Sequence, residues 1–245
     1  MISPQSGTLD LSAVVPAHNE RDSLDGLLAE LRTALDATGL SWEIVVVDDG
    51  SDDGSPECIR RAASQDARVR GVLLARRAGQ SAAIAAGLAR ANGRVIVTLD
   101  ADLQNDPADL PKLLAALEGA DVASGVRTGR RDAWTRRATS WIANASRRAL
   151  LGDSISDIGC SFKAYRRETL LGMPAFVGVH RFLPALCEFR GARVVEVAVS
   201  HRARRFGVSK YGVANRLWRG ITDLVGVHWL KSRLITPAVR EEEAR

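Results

Sequence analysis

The sequence predicts an α/β fold: a mostly parallel sheet with helices on both faces, plus a C-terminal amphipathic helix. Three observations carry this. Short apolar runs of strand type recur at 11–15, 43–47, 69–74 and 94–99. Helical patterns fill the intervals, and strands alternating with helices make parallel sheets. Three of the runs stop at polar clusters: Pro16 to Glu20, Asp48 to Ser51, and Asp100 to Gln104.

Each element has its own signal. Residues 1–10 form a short polar lead. After the first strand, Leu24, Leu27, Leu28, Leu31 and Leu35 share one side at helical spacing, which places a helix over 21–37, with Gly39 as its stop. Helices are expected over 55–65, over the alanine-rich stretch 80–91 and over 108–118, with a strand at 121–125. Residues 127–150 read as a basic helical stretch, 160–165 and 193–199 as strands, and 201–210 as a basic loop. Residues 211–235 place Leu217, Ile221, Leu224, Val225, His228 and Trp229 at roughly helical spacing, flanked by Arg216, Arg219, Lys231 and Arg233. Trp218 and Trp229 are rings of the kind that favour a membrane interface, so a helix lying in the headgroup plane is expected. The competing reading is a helix that simply packs on the core.

A chain of 245 residues, 46% hydrophobic and 26% charged, is long enough for one large domain, or one domain plus a small appendage, with a sizeable core. The net charge of +5 and a pI near 9.5 suit nucleotide phosphates, nucleic acid or an anionic membrane surface. Cys58, Cys160 and Cys187 lack metal-ligand spacing and read as buried thiols of a reducing compartment. The polar first residues show no secretory h-region, so the Asn144-Ala145-Ser146 sequon reads as chance. No stretch reaches the roughly 18 apolar residues of a membrane span.

The run Val-Ile-Val-Thr-Leu at 95–99 ends at Asp100 and Asp102. Spacing of two puts both carboxylates on one face if the chain stays extended. Paired carboxylates repel, and a divalent cation with a taste for oxygen, Mg2+ or Mn2+, is their natural companion. Parallel strands bring their C-terminal ends to one edge, so the three polar clusters converge where open α/β sheets bind ligands. Alone, an Asp-x-Asp is a weak signal, and an acidic strand-end turn is the plain alternative. Neither Gly-x-Gly-x-x-Gly nor Gly-x-x-x-x-Gly-Lys-Ser/Thr occurs, which argues against a dinucleotide enzyme and a P-loop fold. Phosphate would therefore be held by metal and arginine. Arg127, Arg130, Arg131, Arg136 and Arg137 supply planar forks suited to phosphate. Arg130, Arg131 and Arg137 are read as a solvated face, Arg127 and Arg136 as functional.

Five motifs occur in order: Pro16-Ala-His-Asn-Glu20, Val47-Asp-Asp-Gly-Ser51, Gly79-Gln-Ser-Ala-Ala-Ile-Ala-Ala-Gly87, Asp100-Ala-Asp-Leu-Gln104 and Gly125-Val-Arg127. This order resembles the inverting family 2 glycosyltransferases of the dolichyl- or polyprenyl-phosphate mannosyl/glucosyltransferase type, over roughly residues 11–235. Phe206-Gly-Val-Ser-Lys-Tyr211 is similar to the polyprenyl-phosphate branch. The resemblance implies a GT-A-like (Rossmann-like) fold and a set of roles. Pro16, His18, Glu20, Val47 and Asp49 would line the base and ribose. Asp100 would face ribose or metal, with Ala101 beside the donor, and Asp102 and Gln104 would bind the metal. Arg127 would contact the donor nucleotide sugar, Arg204 and Lys210 would close over its diphosphate, and Arg136 and Ser140 would hold the acceptor phosphate. Asp157, in Asp157-Ile-Gly-Cys160, falls where relatives carry an acid near the acceptor, although an acid before glycine also caps turns. Relatives commonly carry an aromatic where this chain has His18, which loosens the expectation about the base.

The implied reaction is metal-dependent, inverting transfer of a sugar from a nucleoside-diphosphate sugar to a polyprenyl (dolichyl or undecaprenyl) phosphate. A polysaccharide, glycolipid or protein acceptor is the alternative within the fold. A receiver-like signalling domain gathers acids similarly but is about half this length and expects a lysine at a later strand end, which the strand reading does not supply. A nucleic-acid-binding module would set phosphate against three acidic loops. The expected organisation is a flexible lead at 1–10, a catalytic domain at 11–210, a membrane-surface helix at 211–236 and a flexible tail at 237–245. The expected place is cytoplasmic, peripheral on the inner face of the membrane, with a membrane-protein partner or a second copy as possible company.

Overall fold

The computed structural model describes residues 8–128, 147–203 and 213–234, the last segment as backbone only up to residue 221. Seven strands form one sheet: β1 (Leu9–Ala17), β2 (Trp42–Asp48), β3 (Val69–Leu73), β4 (Gly93–Thr98), β5 (Val122–Thr128), β6 (Lys163–Arg166) and β7 (Val194–Ser200), in the order β3-β2-β1-β4-β6-β5-β7. Among the described residues the helices are α1 (Arg21–Asp36), α2 (Ser55–Gln65), α3 (Gln80–Leu88), α4 (Leu110–Ala116), α5 (Val179–Phe189) and α6 (Val213–Lys231). Residues 147–151 are also helical.

The sheet is mixed. β1 pairs in parallel with β2 and β4, β2 with β3, and β5 with β7, whereas β6 runs antiparallel to both β4 and β5. One reversed strand therefore brings its first residue, Lys163, to the edge where its neighbours end. It sits opposite Thr98 on one side and Ser124 on the other.

Side-chain alternation along the strands splits the core into two layers. Leu11, Ala13, Val15, Ile44 and Val46 face α1, whose Leu24, Leu27, Leu28, Leu31 and Leu35 are all buried against them, as the spacing predicts. Each such leucine contributes about 1.5–3 kcal/mol. Val14, Val45, Val47 and Ile96 face the other way, onto Ala83, Ile84 and Leu88 of α3 and Phe182, Leu183 and Leu186 of α5. Helix α3 lies close on the sheet because residue 87 is glycine: a Cβ there would collide with Val14 and come within 3.0 Å of Val47 Cγ2.

Several boundaries differ from the sequence reading. β1 and β2 are longer than 11–15 and 43–47, because apolar residues at 9 and 42 extend the pairing. The helix expected over 80–91 ends at Leu88, and the one at 108–118 splits into a 3-10 turn, Pro107–Asp109, and α4. Helix α5 has no counterpart in the sequence reading. It carries Pro184, which lacks the N–H that would bond to the His180 carbonyl, and such a residue argues against helix when read locally.

Candidate functional site

Strand order reverses between β1 and β4: from β1 the chain winds outward through β2 and β3, then returns to place β4 on β1's other flank. Such a switch point opens a crevice at the C-terminal ends of the strands. The loop after β1 lies on one side of it and the Asp100–Asp102 loop on the other.

The loops after β1 and β2 are clasped together. Asn19, with a left-handed φ of 54°, donates its backbone N–H to Ser51 Oγ at 2.8 Å and its amide to Asp52 Oδ1 at 2.7 Å. Glu20 N–H reaches Ser55 Oγ at 3.0 Å, and Asp49 N–H reaches the Ala17 carbonyl at 2.8 Å. His18 and Glu20 are half-buried on this rim, and the Glu20 carboxylate also accepts from Ser23 Oγ. Pro16 and Val47 are buried, and the Val47 side chain belongs to the core layer under α3. Contact between Val47 and a nucleotide is thereby confined to its backbone. The Asp49 carboxylate is engaged too: it accepts the N–H groups of Ala78, at 2.6 Å, and Gly79, at 2.9 and 3.0 Å. It anchors the start of α3, where Gly79 adopts φ 92°.

The strand does not stay extended through the acid pair. β4 stops at Thr98, residues 101–103 bend, and Leu103 takes φ 59°. The two carboxylates are still neighbours. Burial, and then Asp102 beside it, raise the Asp100 carboxyl to about 6, while a Ser161 hydrogen bond, Lys163 and Arg127 act in the opposite sense. Gln80 Nε2 donates to Asp100 Oδ1 at 2.7 Å. Asp102 is buried and accepts the Gln104 N–H at 3.2 Å. The Ala101 side chain is buried, so Ala101 offers only backbone to a ligand. Gln104 turns its amide toward the Arg202 carbonyl at 3.5 Å and accepts the Arg202 N–H on its own carbonyl at 2.8 Å, so it ties this loop to the end of β7. Among the described residues no group of three or more His, Cys, Asp or Glu is arranged to hold a metal. Two repelling carboxylates suit Mg2+ or Mn2+, which commonly complete their shells with water and substrate phosphate.

Arg127 and Asp157 form a second charged unit. The guanidinium forks onto the carboxylate, Nε to Oδ2 at 2.8 Å and Nη2 to Oδ1 at 2.7 Å, and the Arg127 N–H adds a third contact at 3.2 Å. Both side chains are about 15% exposed, which makes this a largely desolvated pair rather than two groups waiting for ligands. Asp157 held in this way is better suited to orienting than to taking a proton, and Arg127 reaches a donor only by sharing its fork. Arg136, Ser140, Arg204 and Lys210, like Arg130, Arg131 and Arg137, lie outside the described residues, as does the Trp218 side chain.

Four site groups escaped the sequence reading. Ser161 Oγ accepts from Asp100 N–H at 3.2 Å and Asn105 Nδ2 at 2.9 Å. Lys163 is 1% exposed at the start of β6, with its ammonium on the Ile158 carbonyl at 3.4 Å. Burial lowers that ammonium to about 8, and Cys160, Asp157 and Asp100 oppose the shift. A lysine inside the apolar run Phe162-Lys-Ala-Tyr165 was the available signal, and β6's direction decided that it reaches this edge. Gln80 and His180 are the other two. His180 Nδ1 lies 2.8 Å from Ser81 Oγ, and burial, aided by Arg181 and Lys163, lowers its imidazole to about 3.

The His180 environment gives stability a pH dependence. The unfolded imidazole protonates near 6.5 and the folded one only near 3, so acid favours the unfolded chain throughout that window. The stability is fully present above pH 6.5 and is expected to fall by ~2 kcal/mol on acidification to about pH 5. His180→Asn should remove that part of the slope in urea titrations at the two pH values. An unchanged slope would contradict a half-buried, neutral imidazole.

Residues 12–171 match the family model described as glycosyl transferase family 2. The chain belongs to that family. It is 42% identical over 205 residues to the undecaprenyl-phosphate 4-deoxy-4-formamido-L-arabinose transferase of Aeromonas hydrophila, covering 83% of this chain and 63% of the relative. To the Salmonella typhimurium protein of the same name it is 40% identical over 217 residues, covering 88% and 66%. The chain thus spans a little under two thirds of the length of these curated relatives. Among solved structures it is similar to glucosyl-3-phosphoglycerate synthase from Mycobacterium tuberculosis. The complex with Mn2+, uridine diphosphate and phosphoglyceric acid gives a TM-score of 0.68 at 23% identity, covering 91% of this chain and 78% of that one. The complex with Mg2+ and uridine diphosphate gives 0.67 at 22%, covering 93% and 81%. At that identity the likeness establishes the GT-A-like fold. The family assignment sets aside the receiver and nucleic-acid readings.

Proposed function

We propose that this family 2 glycosyltransferase moves a sugar from a nucleoside-diphosphate sugar to a polyprenyl phosphate, with inversion at the anomeric carbon and with a divalent metal. The observation that carries the reading is the Asp100–Asp102 pair at the switch-point crevice. Asp100 and Asp102 would hold Mg2+ or Mn2+, which would stabilise negative charge on the departing diphosphate. The relatives' names support the lipid-phosphate acceptor, and the metal and uridine diphosphate in the structural neighbours support the donor side.

This chain's residues do the rest. The clasped rim of His18 and Glu20 receives the base and ribose, and Asp49 fixes the start of α3 behind them. Asp157, locked by Arg127, orients the acceptor side of the crevice. Inversion asks the acceptor oxygen to attack the anomeric carbon opposite the leaving group. A phosphate monoester is already anionic near neutrality, so no strong base is needed. Arg136 and Ser140 on the acceptor, and Arg204 and Lys210 on the diphosphate, complete the reading.

A panel of radiolabelled UDP-glucose, UDP-N-acetylglucosamine, UDP-xylose and GDP-mannose, incubated with undecaprenyl phosphate and Mn2+ or Mg2+, tests it. Organic-phase product that disappears with chelator is expected. Product confined to the aqueous phase would favour a soluble acceptor, and full activity in chelator would remove the metal.

Attachment to a membrane surface belongs to the same proposal. Among the described residues no helix is long and apolar enough to cross a membrane. Helix α6 buries Val227 and is tethered by the Arg181–Asp223 ion pair and by Lys231 on the Leu151 carbonyl. It leaves Val225 and Trp229 about 60% exposed. Those two, with nearby Arg233, suit the cytoplasmic headgroup plane. The chain should float with anionic liposomes at low salt and release at high salt. Trp229→Ala should weaken flotation several-fold, and no flotation at low salt would return α6 to the role of a core helix.

A further inference from the structure

Three consecutive residues at the start of α3 each hold a different part of the crevice. Gly79 is bonded to Asp49 after β2, Gln80 to Asp100 after β4, and Ser81 to His180 in the first turn of α5. His180 therefore belongs to the same edge as the acids, one step past Asp100.

The hydrogen bonds favour one imidazole tautomer. Ser81 Oγ accepts the Gly178 N–H at 2.8 Å, and Ser81 is only 9% exposed. Its hydroxyl proton needs an acceptor in that setting. The acceptor in reach is His180 Nδ1, at 2.8 Å. The ring proton then sits on Nε2. No described residue is seen to hydrogen-bond that nitrogen, and His180 is half-buried rather than buried. The adjacent Arg181 is taken up by Asp223 on α6, and the imidazole is held at the start of α3, one residue from the Gln80 that bonds Asp100.

We propose that His180 donates its Nε2–H to a hydroxyl of the donor's sugar and thereby selects which sugar is accepted. This rests on the nucleotide-sugar reading above. With the base at the β1–β2 rim and the diphosphate at Asp100 and Asp102, the sugar falls on the far side of Asp100, toward β6 and α5. An uncharged donor suits an uncharged hydroxyl, whereas a phosphate would be better served by the cations nearby. Burial beside Arg181 and Lys163 keeps the ring uncharged, in keeping with that choice.

The test compares intact donor with the bare nucleotide. Calorimetry with Mn2+ would measure UDP, GDP and the four nucleotide sugars of the panel on wild type, His180→Phe, His180→Asn and Ser81→Ala. Unfolding midpoints would confirm that each variant folds. Loss of one neutral hydrogen bond should weaken binding of the preferred nucleotide sugar about 10-fold in His180→Phe. Binding of the matching nucleoside diphosphate should stay within about twofold. His180→Asn, whose amide restores a donor, should recover part of the loss. Ser81→Ala, which frees the tautomer, should cost a few-fold on the sugar alone, and it carries the test if His180→Phe does not fold. Equal losses for nucleotide and nucleotide sugar, no loss for either, or a wild type that gains nothing from any sugar would each overturn this assignment while leaving the proposed function standing. A wild type that binds no nucleotide would overturn the proposed function instead.

Discussion

Asp102→Ala is expected to lower sugar transfer by roughly 100- to 1,000-fold, the scale seen when a group that stabilises developing charge is removed. Asp102 is 7% exposed and accepts the Gln104 N–H within the same loop. The loop is also held from outside. Gln104 joins Arg202, Asn105 joins Ser161 and bridges to His201, and Arg202 pairs with Glu30 and Asp106. The unfolding midpoint should therefore change little. The variant should also lose the added thermal stability that Mn2+ with nucleotide gives the wild type, because a ligand stabilises only the state that binds it. Transfer within tenfold of wild type, in a folded variant, would take the metal away from this loop.

Asp153→Ala is expected to be the most damaging substitution for stability. Asp153 is wholly buried and Arg147 is 4% exposed. The guanidinium reaches both carboxylate oxygens, at 2.6 and 2.7 Å, and also the Ile155 carbonyl, while Asp153 accepts the Ile155 N–H at 3.0 Å. Removing the acid leaves a buried, uncompensated arginine, which costs about 3–5 kcal/mol. For a domain of this size that lowers the midpoint by roughly 6–20 °C. The pair fixes the segment that leads into Asp157, so transfer should fall even below the midpoint. Replacing both partners by apolar residues should recover much of the stability. A single variant within 1 kcal/mol of wild type by urea titration would show that the pair is not sealed as described.

Much of the fold was legible because burial imposes a period on the sequence. The five leucines of α1 could share one face only in a helix, and the apolar runs at 43–47 and 94–99 could be satisfied only in a sheet covered on both sides. The Asp100–Asp102 pair was legible for a related reason: charge at the end of an apolar run marks where the strand leaves the core. Helix α5 was not legible, since Pro184 weakens the local signal and its helicity comes from packing Phe182, Leu183 and Leu186 onto the sheet.

The sequence by itself determined the family, the sheet-and-helix alternation and the edge at which the acids gather, because these follow from local periodicity and from motifs in order. Only the tertiary structure decided which of those groups are available. It committed Asp49 to the α3 backbone, turned Val47 into the core and closed the Arg127 fork on Asp157. It also brought Lys163 to the acidic edge by reversing β6, and it set His180 against Ser81 across 99 residues of chain. The physical reason is that a side chain's charge, partners and reach depend on neighbours distant in sequence, and strand direction and helix docking bring those neighbours together only when the whole sheet forms.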